Sequence, residues 1–329
     1  IRLVSGDHQL LEFGLRRAQA TGSYFATRAA IIGGFNGTCN VLAGKDFNIP
    51  VSGTMAHSFI QSYDDELSAF RDFARGRPHD CILLVDTYNT LKSGVKNAII
   101  VAKEMEKKGE KLRAIRLDSG DLAYLAKQCR KQLDDAGLEY VKIAASNQLD
   151  EYVIKSILEQ QAPIDIFGVG TNLVIGDPDA ALDGVYKLAE SQGKPRVKIS
   201  ESITKITLPH KKQVFRIKDK TGKCVGADVV GLYDEEHIGT MYHPFEPYKS
   251  MEIGTYKQEA LLKKVMENGE VLIEKRSLAE ITEYSLERLS QLPIEYKRFN
   301  NPHIYKIGIS ATLQKERELL INTFKKSAR

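Results

Sequence analysis

Four short apolar runs, at residues 81–85, 114–117, 140–145 and 164–169, begin 24 to 33 residues apart. That interval is the length of a strand, a crossover helix and the return to a parallel neighbour. Amphipathic stretches at helical spacing fill the gaps, over 95–108, 122–136 and 151–160. Short strands without polar alternation belong to a parallel sheet covered on both faces. Residues 48–51 read as an earlier strand of the same series. An open doubly wound sheet and a barrel both fit this pattern. The units run on in sequence and no Gly-x-Gly-x-x-Gly fingerprint opens a first turn, which favours the barrel.

Polar residues collect directly after the strands: Ser52, Thr54 and His57; Asp86, Thr87 and Asn89; Asp118, Ser119 and Asp121; Ser146 and Asn147; Thr171 and Asn172. Barrels and open α/β sheets place their ligands at that end. The pattern changes after about residue 194. Residues 197–200, 203–207, 213–217 and 225–232 read as strands, with turns at 209–212 and 219–222. Helical stretches follow at 278–289 and 313–325. The expected organisation is a barrel over 1–200 that carries the site, and a hairpin-rich and helical part over 201–329.

Composition enters by exclusion. Of the 329 residues, 42% are hydrophobic, too many for a disordered chain. The charge is 47 basic against 43 acidic residues, a net of +4 with mixed signs, so no nucleic-acid partner is expected. The lysine-rich stretch 205–223 reads as a solvated hairpin face. No apolar run approaches the roughly 18 residues of a membrane span, so no membrane partner is expected either. Cys39, Cys81, Cys129 and Cys224 match no zinc spacing and suit free thiols in a reducing cytoplasm. The chain opens on Ile1 rather than Met, and residues 10–19 already read as mid-domain sequence. A preceding segment is therefore expected.

Several residue types carry chemistry. Strand alternation puts Arg116 and Asp118 on one face. A guanidinium can take a carboxylate or phosphate in two parallel bonds, and carboxylates can hold Mg²⁺ with a polyphosphate. Ser119 or Asp121 is expected to cap the next helix. Gly168-Val169-Gly170-Thr171-Asn172 is either an anion-binding turn or a simple turn. His57 is a base or nucleophile at neutral pH, or a hydrogen-bonded structural imidazole. Arg16 and Arg17 are anion ligands or partners in surface ion pairs. Asp86 has a metal-site or helix-cap role.

The chain resembles the nicotinate phosphoribosyltransferase family. The resemblance rests on Glu12-Phe13-Gly14-Leu15-Arg16-Arg17-Ala18-Gln19, Gly33-Gly34-Phe35-Asn36-Gly37-Thr38-Cys39-Asn40, residues 52–58, Asp86-Thr87-Tyr88, residues 116–121, residues 168–171 and Gly184-Val185-Tyr186-Lys187-Leu188. It implies an α/β protein of the type II phosphoribosyltransferase fold, an irregular parallel TIM-like barrel beside a second α/β sandwich domain. It also implies an N-terminal region, absent from this chain, that helps build the second domain and contributes an aromatic to the nicotinate pocket.

The implied reaction joins nicotinate to phosphoribosyl pyrophosphate, giving nicotinate mononucleotide and pyrophosphate for NAD salvage. ATP hydrolysis is coupled to it, Mg²⁺ is required, and the reaction is classed as a C–N ligase. By the same resemblance His57 is the phosphorylated histidine and Asp118 a catalytic carboxylate. Thr54 and Arg116 hold nicotinate, Arg16 lies near the ring and ribosyl phosphate, and Gly170 and Thr171 form the phosphoribosyl turn. Asp86 and Ser119 are substrate-side positions, with Asp86 and Asp118 toward Mg²⁺. A homodimer with active sites near the interface follows too. The alternatives are a nicotinamide-using relative, which carries aspartate where Cys39 stands, and a non-catalytic binder of phosphorylated metabolites.

Overall fold

The computed structural model describes residues 1–327 and divides them into two compact units. One comprises 1–182 with 276–286, the other 183–275 with 287–329, its last two residues lying outside the described range. The first break falls at 182/183, against the expected 200/201.

The first unit is built on six parallel strands: β1 (Gln9–Glu12), β2 (Gly37–Thr38), β3 (Ile82–Leu84), β4 (Ala114–Leu117), β5 (Lys142–Ser146) and β6 (Ile166–Val169). Their order is β2-β1-β6-β5-β4-β3, with every neighbouring pair parallel. This is an arc of an α/β barrel, with β2 and β3 as edges among the described residues. The four strands read from the apolar runs are all present. β1 is an addition, and it sits between β2 and β6, inside the sheet.

Strand alternation sorts the side chains into two layers. Leu10, Leu83, Ile115, Ile143 and Phe167 are fully buried in the larger core. That core also takes the apolar faces of the helices Val95–Glu106, Leu122–Asp135 and Glu151–Glu159. Leu11, Ile82, Ala114, Ala144 and Ile166 form a separate cluster, with Phe13 packed against it. Two residues further along the strands, on that same face, stand Leu84, Arg116, Ser146 and Gly168. The layer above the inner apolar cluster is thus where polar chemistry begins.

The expected strand at 48–51 is corrected to a single bridge between Thr38 and Val51. Residues 41–47 are helical, and Asn48 ends that helix in the left-handed region at φ 54°. Pro50 then follows and cannot donate to a ladder.

The second unit holds a six-stranded sheet in the order Ser250–Glu252, Thr240–Tyr242, Lys306–Ser310, Cys224–Leu232, Lys212–Lys218, Lys257–Ala260. Its pairings are antiparallel apart from Cys224–Leu232 with Lys306–Ser310. Lys212–Lys218 alternates strictly, burying Gln213, Phe215 and Ile217. The turn between the two longest strands is tied by Asp219, whose Oδ1 accepts from the backbone of Thr221 and Lys223. The expected strands at 197–200 and 203–207 do not form; Ile203–Lys205 is a single 3₁₀ turn. Ile199 and Ile203 stay exposed, so no packing rewards a ladder there.

Candidate functional site

Arg116 is the hub. It lies one residue before the end of β4, and its guanidinium donates in three directions: Nε to Ser146 Oγ at 2.8 Å, Nη1 to Thr54 Oγ1 at 2.6 Å and Nη2 to Asp118 Oδ1 at 2.8 Å. Its flat face lies 5.4 Å from the centre of the Phe13 ring. Three of five N–H groups are engaged, which leaves two for a planar anion. Ser146 also donates to Asp118 Oδ1. The ends of β4 and β5 are thereby locked to the loop that carries Thr54.

Asp86 and Asp118 form the second element. The Asp86 side chain is 1% exposed. Its Oδ2 accepts from the backbone N–H of Asp118 at 2.9 Å and from the Ser119 hydroxyl. Its Oδ1 is buried and has no hydrogen-bond partner. Such an oxygen is costly to leave bare, so it points to a ligand. His57 closes the group: Nε2 is 4.0 Å from Asp86 Oδ1 and 3.7 Å from Asp118 Oδ2, while Nδ1 is 3.0 Å from Thr87 Oγ1. The cap roles separate cleanly. Asp121 caps the helix after β4, accepting from Tyr124 N, and Asn89 caps the turn after β3. Asp86 and Ser119 instead bond to each other.

These side chains open onto a hollow of about 500 Å³ lined by Phe13, Arg16, Cys39, Thr54, His57, Arg116 and Asp118, among others. A smaller one of about 80 Å³ adjoins it, sharing Phe13, Arg16, Arg116 and Asp118 and adding Arg17, Ser146, Asn147, Gln148, Gly170 and Thr171. His57, Thr54, Arg16, Arg116, Asp118, Gly170 and Thr171 therefore meet at one rim, with Asp86 and Ser119 behind it. Arg16 and Arg17 lie in the exposed 3₁₀ turn Leu15–Arg17.

Gly168, inside β6, and Gly170, just past it, owe their identity to packing. A Cβ on Gly168 would lie 2.5 Å from the Phe13 ring, and one on Gly170 would lie 3.0 Å from the Phe13 carbonyl oxygen. They leave room for the Phe13 ring beneath Arg116.

Sequence reasoning named four contributors without giving them a role: Thr87 and Ser146 among the polar residues after the strands, and Glu12 and Phe13 in a family motif. A role for Ser146 was findable from its position two residues beyond Ala144 on the inward face of an expected strand; Phe13 takes its place from β1, which the sequence did not reveal. Glu12 is 0% exposed and is bonded by Gly14 N, Thr27 Oγ1 at 2.9 Å and Thr38 Oγ1 at 2.6 Å. Burial pushes the Cys39 thiol above its ordinary range, with the Glu12 charge adding to the shift. The wall at Cys39 is accordingly neutral.

The chain is similar to known proteins in sequence and fold. Residues 211–317 match the model of the nicotinate phosphoribosyltransferase C-terminal domain. The nicotinate phosphoribosyltransferase of Bacillus subtilis is 43% identical over 94% of the chain and 65% of its own length. The human one is 30% identical, covering 95% of the chain and 69% of the human protein. The crystal structure of human nicotinic acid phosphoribosyltransferase superposes with a TM-score of 0.82 at 28% identity, over 97% of the chain and 72% of that structure.

The chain belongs to the nicotinate phosphoribosyltransferase family. It spans about two thirds of the length of these nicotinate phosphoribosyltransferases, 65% for the bacterial relative. A nicotinate-nucleotide pyrophosphorylase from Pyrococcus furiosus shares the fold at a TM-score of 0.69. The barrel arc and the second sheet are thus those of a type II phosphoribosyltransferase.

Proposed function

We propose that this protein forms nicotinate mononucleotide and pyrophosphate from nicotinate and phosphoribosyl pyrophosphate, with ATP hydrolysis coupled through His57. One observation carries the reading. Arg116, fixed by Thr54, Ser146 and Asp118 over the Phe13 ring, offers its two remaining N–H groups to a hollow of mononucleotide dimensions beside His57. A pyridine carboxylate suits that guanidinium, with its ring against an aromatic wall.

The chemistry asks little of protein nucleophiles. Pyrophosphate leaves C1 of the ribose as positive charge builds on the sugar, and the pyridine nitrogen attacks. Asp118 and Asp86 supply negative charge to that region, while Arg16, Arg17 and the Gly170–Thr171 backbone suit the phosphate end. In the coupled step an imidazole nitrogen of His57 forms a bond to the γ-phosphorus of ATP as the bond to ADP breaks, and water then breaks the N–P bond, releasing phosphate and restoring the imidazole. Thr87 fixes the ring for that step.

Asp86 Oδ1 and Asp118 Oδ2 are hard oxygen donors flanking His57, and the first is buried without a partner. That donor set fits Mg²⁺. Among the described residues no cluster of three or more His, Cys, Asp or Glu side chains could hold a metal. Oxygens of the bound pyrophosphate would therefore complete the shell. Bound there, Mg²⁺ would supply charge neutralisation for the leaving group.

Cys39 favours the acid over the amide. A neutral thiol wall leaves the nicotinate carboxylate unopposed, whereas a carboxylate at that position would repel it. A homodimer belongs to the same reading: Phe25, Val41 and Leu42, near Cys39 in sequence, are more than half exposed. Among the described residues no helix is long and apolar enough to cross a membrane.

The test is release of pyrophosphate by the intact gene product given nicotinate, phosphoribosyl pyrophosphate, ATP and Mg²⁺, with nicotinamide as competitor. Nicotinate-dependent release supports the assignment. Binding without release would mark a non-catalytic barrel, and preference for nicotinamide would reverse the substrate.

A further inference from the structure

We propose that Glu12, buried beneath the site and touching no substrate, is the positioning residue of the pyridine slot. The inference rests on the functional reading above, because it assigns that slot to nicotinate. Glu12 ends β1, where its own carbonyl accepts from Cys39 N at 2.9 Å and the next residue, Phe13, donates to Val169 O at 2.7 Å. The side chain then reaches three separate pieces of chain. Oε1 accepts from the backbone N–H of Gly14, which precedes the Leu15–Arg17 turn. Oε2 is shared by Thr27, on the helix Thr21–Ile32, and Thr38, at the end of β2. The Thr38 oxygen also accepts from Asn40 N at 2.9 Å, so the hydroxyl proton is directed to Glu12.

Phe13, Leu15, Arg16 and Cys39, four walls of the larger hollow, are thus fixed through one carboxylate and its backbone. The floor is tight around it. A Cβ on Gly14 would lie 2.1 Å from Val174, and one on Gly168 would lie 2.5 Å from Phe13. Any shift of the 13–16 segment is therefore transmitted to the aromatic face under Arg116. Displacements of an ångström in positioning groups cost up to roughly a hundredfold in rate or affinity.

The experiment compares Glu12→Ala, Glu12→Gln and Thr38→Val in the intact gene product. It reads KM for nicotinate against KM for phosphoribosyl pyrophosphate, thermal unfolding, and the nicotinate concentration that half-protects Cys39 from iodoacetamide. Glu12→Ala should raise nicotinate KM and half-protection by about tenfold or more, with a clearly smaller rise in phosphoribosyl pyrophosphate KM, transmitted through Arg16. Glu12→Gln, which still accepts from Gly14, should recover most of the loss. Thr38→Val removes one donor from the edge of the network and carries the same test if Glu12→Ala does not fold. Equal rises in both KM values, or a folded variant with unaltered nicotinate KM, overturn the proposal. Failure of the wild-type protein to turn over nicotinate or to protect Cys39 would instead remove the functional reading, a result distinct from any difference among the variants.

Discussion

Asp86 holds Asp118 in place: its Oδ2 accepts the backbone N–H of Asp118 at 2.9 Å, while its Oδ1 is buried and unpartnered. One carboxylate thus sets the position of the other, and in the proposed reading its second oxygen is the one that faces a cation. Asp86→Asn preserves an acceptor for the Asp118 N–H but halves the negative charge available. We expect it to fold with a midpoint close to wild type, to lose about 100-fold in kcat and to need more Mg²⁺ for half-maximal rate. Mg²⁺ titration of the two proteins checks this, and an unchanged Mg²⁺ dependence contradicts it.

Arg116→Lys keeps the charge and loses the fork. An ammonium cannot reach Ser146, Thr54 and Asp118 together and still present a planar pair of donors. Nicotinate KM should rise by about 10- to 100-fold, more than KM for phosphoribosyl pyrophosphate. Steady-state kinetics with each substrate varied in turn separate the two.

His57→Ala should abolish nicotinate-stimulated ATP hydrolysis while leaving the hollow able to bind nicotinate, since Arg116, Thr54 and Phe13 are untouched. Full retention of stimulated hydrolysis would dismiss His57 as the coupling residue.

Gly168→Ala would press a methyl group into the Phe13 ring from beneath. Overpacking of that kind costs about 1–3 kcal/mol, read as a lower midpoint in urea. Phe13→Ala in the same background should recover part of the stability but not the nicotinate KM. A fully stable Gly168→Ala protein would mean that Phe13 has room to move.

In the second unit, the Arg288 guanidinium, with Lys218 adding to it, holds the Glu259 carboxyl down at about 2. The folded value lies below the unfolded one. The contribution to stability is therefore present above about pH 4.5 and is lost as pH falls toward 2. Glu259 is more than a third exposed, so screening reduces the effect to about 1 kcal/mol or less. Glu259→Gln should lower stability at neutral pH by that amount, leave it almost unaffected near pH 2, and so flatten the acid limb of the unfolding curve between those two values.

The parallel strand series was legible because strand-length apolar runs recur at βαβ intervals, and burial of both faces leaves that mark directly in the residue order. Asp86, Asp118 and Arg116 were legible for a related reason: residues just past a buried strand can be polar only at the open end of the sheet. β1 was not legible. Leu10 and Leu11 are too short a run to stand out, and what makes them a central strand is pairing with β6, more than 150 residues away. The expected strands at 197–200 and 203–207 failed for the complementary reason, β-branched residues without a sheet to receive them.

The order of residues by itself determined the βαβ rhythm, the polar positions that end each strand, and the motifs that mark the family, because these depend on local spacing and on which side chains water excludes. Only the folded chain decided that Phe13 lies under Arg116, that Asp86 keeps one oxygen bare, and that Glu12 vanishes beneath the rim. Those relations join positions from 15 residues apart, Glu12 and Thr27, to more than a hundred, Phe13 and Arg116, through distances of a few ångströms. Close packing fixes such distances once the strands have taken their places in the sheet.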